Sequence, residues 1–347
     1  MGAASSEREM RYRLLGRTGL RVSELGLGGH EFARFLPSWH FKTTRRFDEP
    51  VPEAELVATQ PARTALIQAA IAAGVNYFDT GEVAEPQSLG LALAALGRRR
   101  DVYVAAETMN PVQRLQVVPR SQWRDVLLEG VAERLRLLRT GYLDVFNVHE
   151  VADGYGRSRF EFVVATLQEL QAQGQIRALG VADHDPRFIA ELIRKYDCFD
   201  TVMIPYNYHR QDAKAALFPL CKALNLGVVV MKPFNWPYYG LPFTHFCPRD
   251  LDAGGYTPAQ LSLRWILTAP EVSTIVPGTN TMAELAENVA AVTHDHAVDA
   301  TVLERSLASA LSARGKARLR QLCADADVAR TRAYIRGYSQ RALAGAT

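Results

Sequence analysis

Cysteine is scarce in this chain. Its four residues, Cys198, Cys221, Cys247 and Cys323, stand far apart with no C-x-x-C pair and no zinc spacing. That excludes a disulfide framework and leaves reduced thiols in a cytoplasmic protein as the expectation. Long apolar runs are missing as well. None approaches the roughly 20 residues needed to span a bilayer, so no membrane is expected as a partner. The N-terminal MGAASSEREM has no apolar core and is no secretory signal. It fits the loose myristoylation pattern, but residues 1–10 read as a disordered tail. An excess of one charge sign is also absent: 40 Lys and Arg face 37 Asp and Glu, for a net +3 over 347 residues. The basic residues lie scattered among acids, which excludes the basic stripe of a nucleic-acid binder. Finally, no G-x-G-x-x-G opens a helix after an early strand, so the Rossmann dinucleotide signature is excluded.

What is present is a rhythm. RYRLLGRTGLRVSELGLGG holds two short β-type runs around a GRTG turn, the second running Val22 to Leu27. A long irregular segment with three prolines follows, Ala33 to Gln60, carrying Lys42, Arg45 and Arg46. From residue 62 onward, Ala/Leu-rich helical runs with apolar spacing of three and four alternate with short apolar strands. Counting VSELGL first gives eight strands and eight helices. Eight units over about 270 residues predict a closed parallel (β/α)8 barrel over 11–295, better than a doubly wound sheet. Residues 296–347 read as a C-terminal helical extension.

In such a barrel the chemistry gathers at the C-terminal ends of the strands. His30 and Glu31 end the first, Asp79 the second, Glu107 the third, and His149 with Glu150 the fourth. Asp183 and His184 follow the fifth, Tyr206, Asn207 and His209 the sixth, Lys232 the seventh and PGTN the eighth. Any one of these is as readily a solvated loop residue. Asp79, Glu107 and His149 stand apart because each directly follows an apolar run and should point into the pocket. The first loop and the stretch from Asn235 to Tyr256 should shape that pocket, and their aromatic, His and Arg content suits a polar or ring-containing ligand.

RLLGRTGLRVSELGLGG, GVNYFDT, YLDVFNVH, GQIRALGV, VVVMKP and VPGTNTMAELAEN, in this order, resemble the aldo-keto reductase family from about Arg11 to Val292. GVADHDP and VMKPF are most similar to a branch in which some members add an iron–sulfur domain, for which this chain lacks the cysteines. The resemblance implies a (β/α)8 barrel that binds NAD(P)H across its mouth and reduces carbonyls. It also implies a catalytic Asp, Tyr, Lys and His. Asp79 and His149 match two of these; Ala84 stands at the Tyr position and Glu107 at the Lys position. By the same resemblance Pro277, Gly278, Asn280, Glu284, Glu287 and Asn288 fall where the family holds the adenosine end. Glu284 would repel a 2′-phosphate and favours NAD over NADP. At the nicotinamide end Ala182 and Asp183 replace a Ser-Asn pair and Met203 a Gln. Tyr206 or Phe234 is the aromatic expected to stack on the ring, Lys232 joins the cofactor set, and His30, Glu31 and Trp236 the substrate pocket.

Alanine transfers no proton, so the ordinary mechanism needs a replacement acid. Asp79 and Glu107 on neighbouring strands would be two close carboxylates with no cation between them, of which one should hold a proton. Glu107 is then the first candidate donor. A residue of the first loop such as Lys42, Arg45 or His30 is the second, and a metal on Asp79, Glu107 and His149 the last. Three functions stay open: an atypical NAD(P)-dependent oxidoreductase on a small carbonyl or alcohol, a non-redox acid–base enzyme such as a dehydratase, epimerase or cyclase, and a non-catalytic cofactor binder.

Overall fold

The computed structural model describes residues 9–28, 53–81, 84–109, 111–149, 151–152, 155–208, 210–234, 256–279 and 281–293. His30, Glu31, Trp236, Asn280, Lys42, Arg45, Arg46 and the extension from 296 therefore lie outside the described residues.

Two short strands, β1 (Tyr12–Leu14) and β2 (Arg21–Ser23), pair antiparallel as a hairpin. Its turn presses against the barrel wall. A Cβ on Gly16 would stand 2.1 Å from Gly227 N, and Gly16 also takes a left-handed φ of 51°, so only glycine fits. Leu15, Leu20 and Val22 pack with Tyr77, Ala105, Val145, Ala178 and Val229 into one apolar cluster that plugs the barrel base. Met10, expected in the tail, is buried in the core.

Seven parallel strands follow in sequence order: β3 (Tyr77–Thr80), β4 (Tyr103–Met109), β5 (Leu143–His149), β6 (Ile176–Ala182), β7 (Thr201–Pro205), β8 (Gly227–Met231) and β9 (Val272–Val276). The gap between β9 and β3 is bridged by residues 25–28. Leu27 pairs with Phe78, Leu25 with Ile275 and Gly28 with Gly278, all parallel. The first strand expected over Val22–Leu27 is thus split, its start in the hairpin and its end in the barrel. Ser23 makes the break by donating its hydroxyl to Leu25 O at 2.6 Å. β5 is buried along its whole length. Its Val145 faces the inner cluster while Phe146 and Val148 face the helices, the two-sided burial of a barrel strand.

The helices are α1 (Glu53–Ala72), α2 (Ala84–Leu96), α3 (Pro111–Arg114), α4 (Trp123–Leu137), α5 (Arg157–Ala172), α6 (Pro186–Lys195), α7 (Asp212–Ala216), α8 (Phe218–Ala223), α9 (Pro258–Leu267) and α10 (Met282–Thr293). Two depart from expectation. α1 starts at Glu53, inside the segment read as irregular, and carries Pro61 within it. The N–H that Pro61 lacks would have served the carbonyl of Val57, and both residues stand on the exposed face of the helix. The run 213–224, helical by its apolar spacing, breaks at Leu217, because Pro219 has no N–H for the Ala215 carbonyl and its ring crowds that turn.

Candidate functional site

The mouth is assembled by the ends of β3 to β9. Asp79 is fixed by its backbone, whose N–H donates to Leu27 O at 2.8 Å. In the register Asp79 pairs with Ala105, two residues short of Glu107, so both side chains face the barrel interior. Glu107 is 5% exposed and His149 6%. Glu107 Oε1 lies 2.7 Å from His149 Nδ1. From α4, the buried Arg134 donates Nε–H to the Glu107 carbonyl at 2.9 Å and so pins the end of β4. Burial lowers the pKa of this guanidinium, while Glu133, Glu107 and Glu85 favour its charge. Glu107 is therefore not a lone acid beside Asp79. Its carboxylate partner is the imidazole one strand further on.

The metal reading is corrected: among the described residues no group of three His, Cys, Asp or Glu side chains is arranged to hold an ion. Two residues of the site were missed in the sequence. Glu85, next to the vacant Tyr position, is 1% exposed, and its Oε2 accepts the Gly81 N–H at 2.6 Å. Its only signal was an acid in the first turn of α2. Arg134 had none beyond a charge on a helix facing inward.

Beyond His149, the His184 ring lies with its centroid 6.1 Å from that of His149. Lys232 Nζ meets His184 Nε2, and Arg210 donates to the His184 carbonyl. Asn207 Nδ2 donates to Lys232 O at 3.1 Å, and Lys232 takes a left-handed φ of 55°. Strained backbone of this kind collects where side chains are aimed for a purpose.

The other expected cofactor residues fall into two groups. Asp183 is spent on the loops: its carboxylate accepts N–H groups of His184 (2.7 Å), Asp185 (3.1 Å) and Ala152 (3.1 Å). Tyr206 is turned into the layer between sheet and helices, 1% exposed, stacked on Trp265 at 5.1 Å and against Phe218 at 4.9 Å. Burial pushes its phenol up to about 12. This ring is packed rather than presented, which corrects its place among the stacking candidates and leaves the half-buried Phe234. Met203 lies in the inner cluster. At the far side the backbone of Pro277 and Gly278 is fixed by Gly28, whose N–H donates to Pro277 O at 2.9 Å. The buried Asn288 donates to Thr279 Oγ1 at 3.2 Å. Thr281 Oγ1 accepts the Glu284 N–H at 3.1 Å and caps α10. Glu287 is half-buried, and its carbonyl accepts from Gln260 at 3.2 Å.

A dinucleotide fits one half of this arrangement better than the other. The N-terminus of the 12-residue α10 and the Lys232 ammonium suit phosphates. At the nicotinamide end Asp183 is taken up by three backbone N–H groups and Met203 is apolar, so neither is the amide that would pair with a carboxamide.

The sequence profile of the aldo/keto reductase family matches residues 38–237 and 252–303. L-galactose dehydrogenase of Arabidopsis thaliana is 24% identical over 302 residues, spanning 81% of this chain and 88% of that protein. Pyridoxine 4-dehydrogenase of Escherichia coli (strain K12) is 28% identical over 239 residues, spanning 65% of this chain and 79% of that protein. Among solved structures, an aldo-keto reductase from Bacillus halodurans in its holo form superposes with a TM-score of 0.63 at 21% identity, covering 86% of this chain and 96% of that one.

Proposed function

The chain belongs to the aldo/keto reductase family and is an oxidoreductase, and from that premise we propose that it acts with NAD(P) on a small carbonyl or alcohol, using the Glu107–His149 pair as its proton donor. The 2.7 Å contact between Glu107 Oε1 and His149 Nδ1 carries this reading. A carboxylate on Nδ1 fixes the tautomer and stabilises the imidazolium, so that Nε2 becomes the proton-bearing atom, as in other carboxylate–imidazole pairs. In reduction Nε2 gives its proton to the carbonyl oxygen; in oxidation it takes the hydroxyl proton back. Asp79 adds negative charge near the cationic form. The nicotinamide, when bound, supplies or accepts the hydride. Lys232 and the N-terminus of α10 hold its phosphates, Phe234 lies at its ring, and the carboxylate of Glu284 in the first turn of α10 disfavours a 2′-phosphate, so NAD is the preferred form.

The named relatives act, by their names, on L-galactose and on pyridoxine. Both are polar, ring-forming alcohols, and a substrate of that class suits a mouth lined with His, Lys and carboxylates. Titration of purified protein with NADH and NADPH, followed by turnover assays on sugars and on pyridoxal, tests the reading. Saturable NADH binding with substrate-dependent oxidation is expected; no binding of either nucleotide removes it.

A second reading draws on the same pair. Glu107 and His149 can abstract and return a proton without any hydride, and neither Asp183 nor Met203 is an amide that would pair with a carboxamide. Incorporation of solvent deuterium next to a carbonyl, in the absence of nucleotide, favours this non-redox chemistry.

A further inference from the structure

Gly81 is the residue on which the Glu107–His149 pair depends for room. It follows β3, where the chain turns from the barrel toward α2, and its φ lies outside the left-handed region, so its conformation makes no demand for glycine. Its surroundings do. A Cβ on Gly81 would stand 2.7 Å from Glu107 Oε1 and 3.6 Å from Glu85 Oε2. The first distance is shorter than any relaxed carbon–oxygen contact. Glu107 Oε1 is also the oxygen that holds His149 Nδ1 at 2.7 Å. The space a methyl group would fill is the space the carboxylate uses to reach the imidazole.

We propose that Gly81 is a positioning residue: its missing side chain opens the slot through which Glu107 engages His149. The neighbours leave the carboxylate few other places. Arg134 fixes the Glu107 carbonyl at 2.9 Å, so any adjustment falls on the side-chain torsions. On the other side the Gly81 N–H is bound to Glu85 Oε2 at 2.6 Å, which anchors the turn itself. A methyl at 81 therefore moves the end of a flexible side chain and not the backbone. Folding tolerates that movement; the pair does not. The inference rests on the proposed role of the pair only for its effect on turnover.

The test needs neither substrate nor cofactor. Proton NMR of the full chain, with labelled histidine, reads the low-field Nδ1–H resonance of a carboxylate-bound imidazole, assigned by its loss in His149→Gln. Gly81→Ala is expected to abolish this resonance as completely as Glu107→Gln does, with a melting temperature close to that of the parent. Adding Gly81→Ala to Glu107→Gln changes nothing further. Where turnover is measurable, Gly81→Ala and Glu107→Gln lower it by a similar factor, about 10²-fold, with nucleotide affinity unchanged. Retention of the resonance in Gly81→Ala overturns the proposal. If Gly81→Ala alone fails to fold, Gly81→Ala/Glu107→Ala decides: recovered folding locates the conflict between these two side chains, and no recovery overturns the assignment. Absence of redox turnover in the parent bears on the proposed function and leaves the resonance test intact.

Discussion

At the base of the barrel the buried carboxylates of Glu24 and Asp144 meet guanidiniums, whereas at the mouth the buried carboxylate of Glu107 meets an imidazole. Glu24 is 2.7 Å from Arg13; Asp144 is 2.7 Å from Arg177 and 3.0 Å from Arg99, and it also accepts the Val104 N–H at 3.0 Å. A guanidinium stays charged at every working pH, so the base is electrostatically fixed. An imidazole changes charge near neutrality, so the mouth can hold a proton or part with it. The same residue type serves as rivet at one end and as reagent at the other.

The strongest way to break this contrast is His149→Gln. It should lower turnover by about 10²–10⁴-fold while leaving the fold in place, as steady-state rates and circular dichroism will report. Unchanged turnover places the proton source elsewhere. The converse, Asp144→Ala, should cost about 3 kcal/mol of stability in urea unfolding with activity per folded molecule retained. A loss of activity without a loss of stability would mean that the base is not merely structural.

Alkaline pH sharpens the comparison by acting on the walls. Burial pushes the Cys198 and Cys221 thiols from 9.0 to about 12 and the Tyr206 phenol from 10.0 to about 12. Between those values the native chain keeps protons that the unfolded chain has lost, so stability falls as pH rises through that window. Arg63 opposes this: burial lowers its guanidinium from 12.5 to about 10, so the native chain sheds that proton first and gains stability above it. The phenols of Tyr77 and Tyr196, also raised by burial, act with the first set, and the guanidiniums of Arg134 and Arg264, lowered by burial, act with Arg63. The raised thiols and phenols outnumber the lowered guanidiniums and predict a melting temperature that declines above roughly pH 9, with both thiols inert to alkylation at neutrality. The smallest effect belongs to the rim of the mouth: Glu284→Arg should shift preference toward NADPH by roughly 1 kcal/mol, about fivefold in the ratio of dissociation constants.

Much of this was legible in the sequence, for physical reasons. The barrel announces itself because helix and strand periods alternate strictly. Asp79, Glu107 and His149 are visible because each ends an apolar run. Their pairing was not visible. Glu107 has a neighbouring strand on either side, and sequence alone did not say that it turns toward β5 instead of β3. Tyr206 was misplaced although period two could have placed it: Met203 faces the interior, so the residue three positions on faces out. Glu85 and Arg134 were hidden because helical residues reach the mouth only through the fold. The start of α1 is hidden because Pro61 reads as a breaker, and only the fold shows that it stands with Val57 on the exposed face of the helix.

Arg13 donates to Leu267 O, Ala269 O and Val272 O, and the segment after it hydrogen-bonds to Ile275 and Pro277. Those contacts join positions some 250 residues apart. During synthesis residues 13–28 must therefore wait for almost the last of the barrel before the circle shuts. Until then the outer edges of residues 25–28 and of β8 stay unclaimed, and a ribosome stalled before residue 272 would leave a sheet with two adhesive margins, the form of this chain most in need of a chaperone.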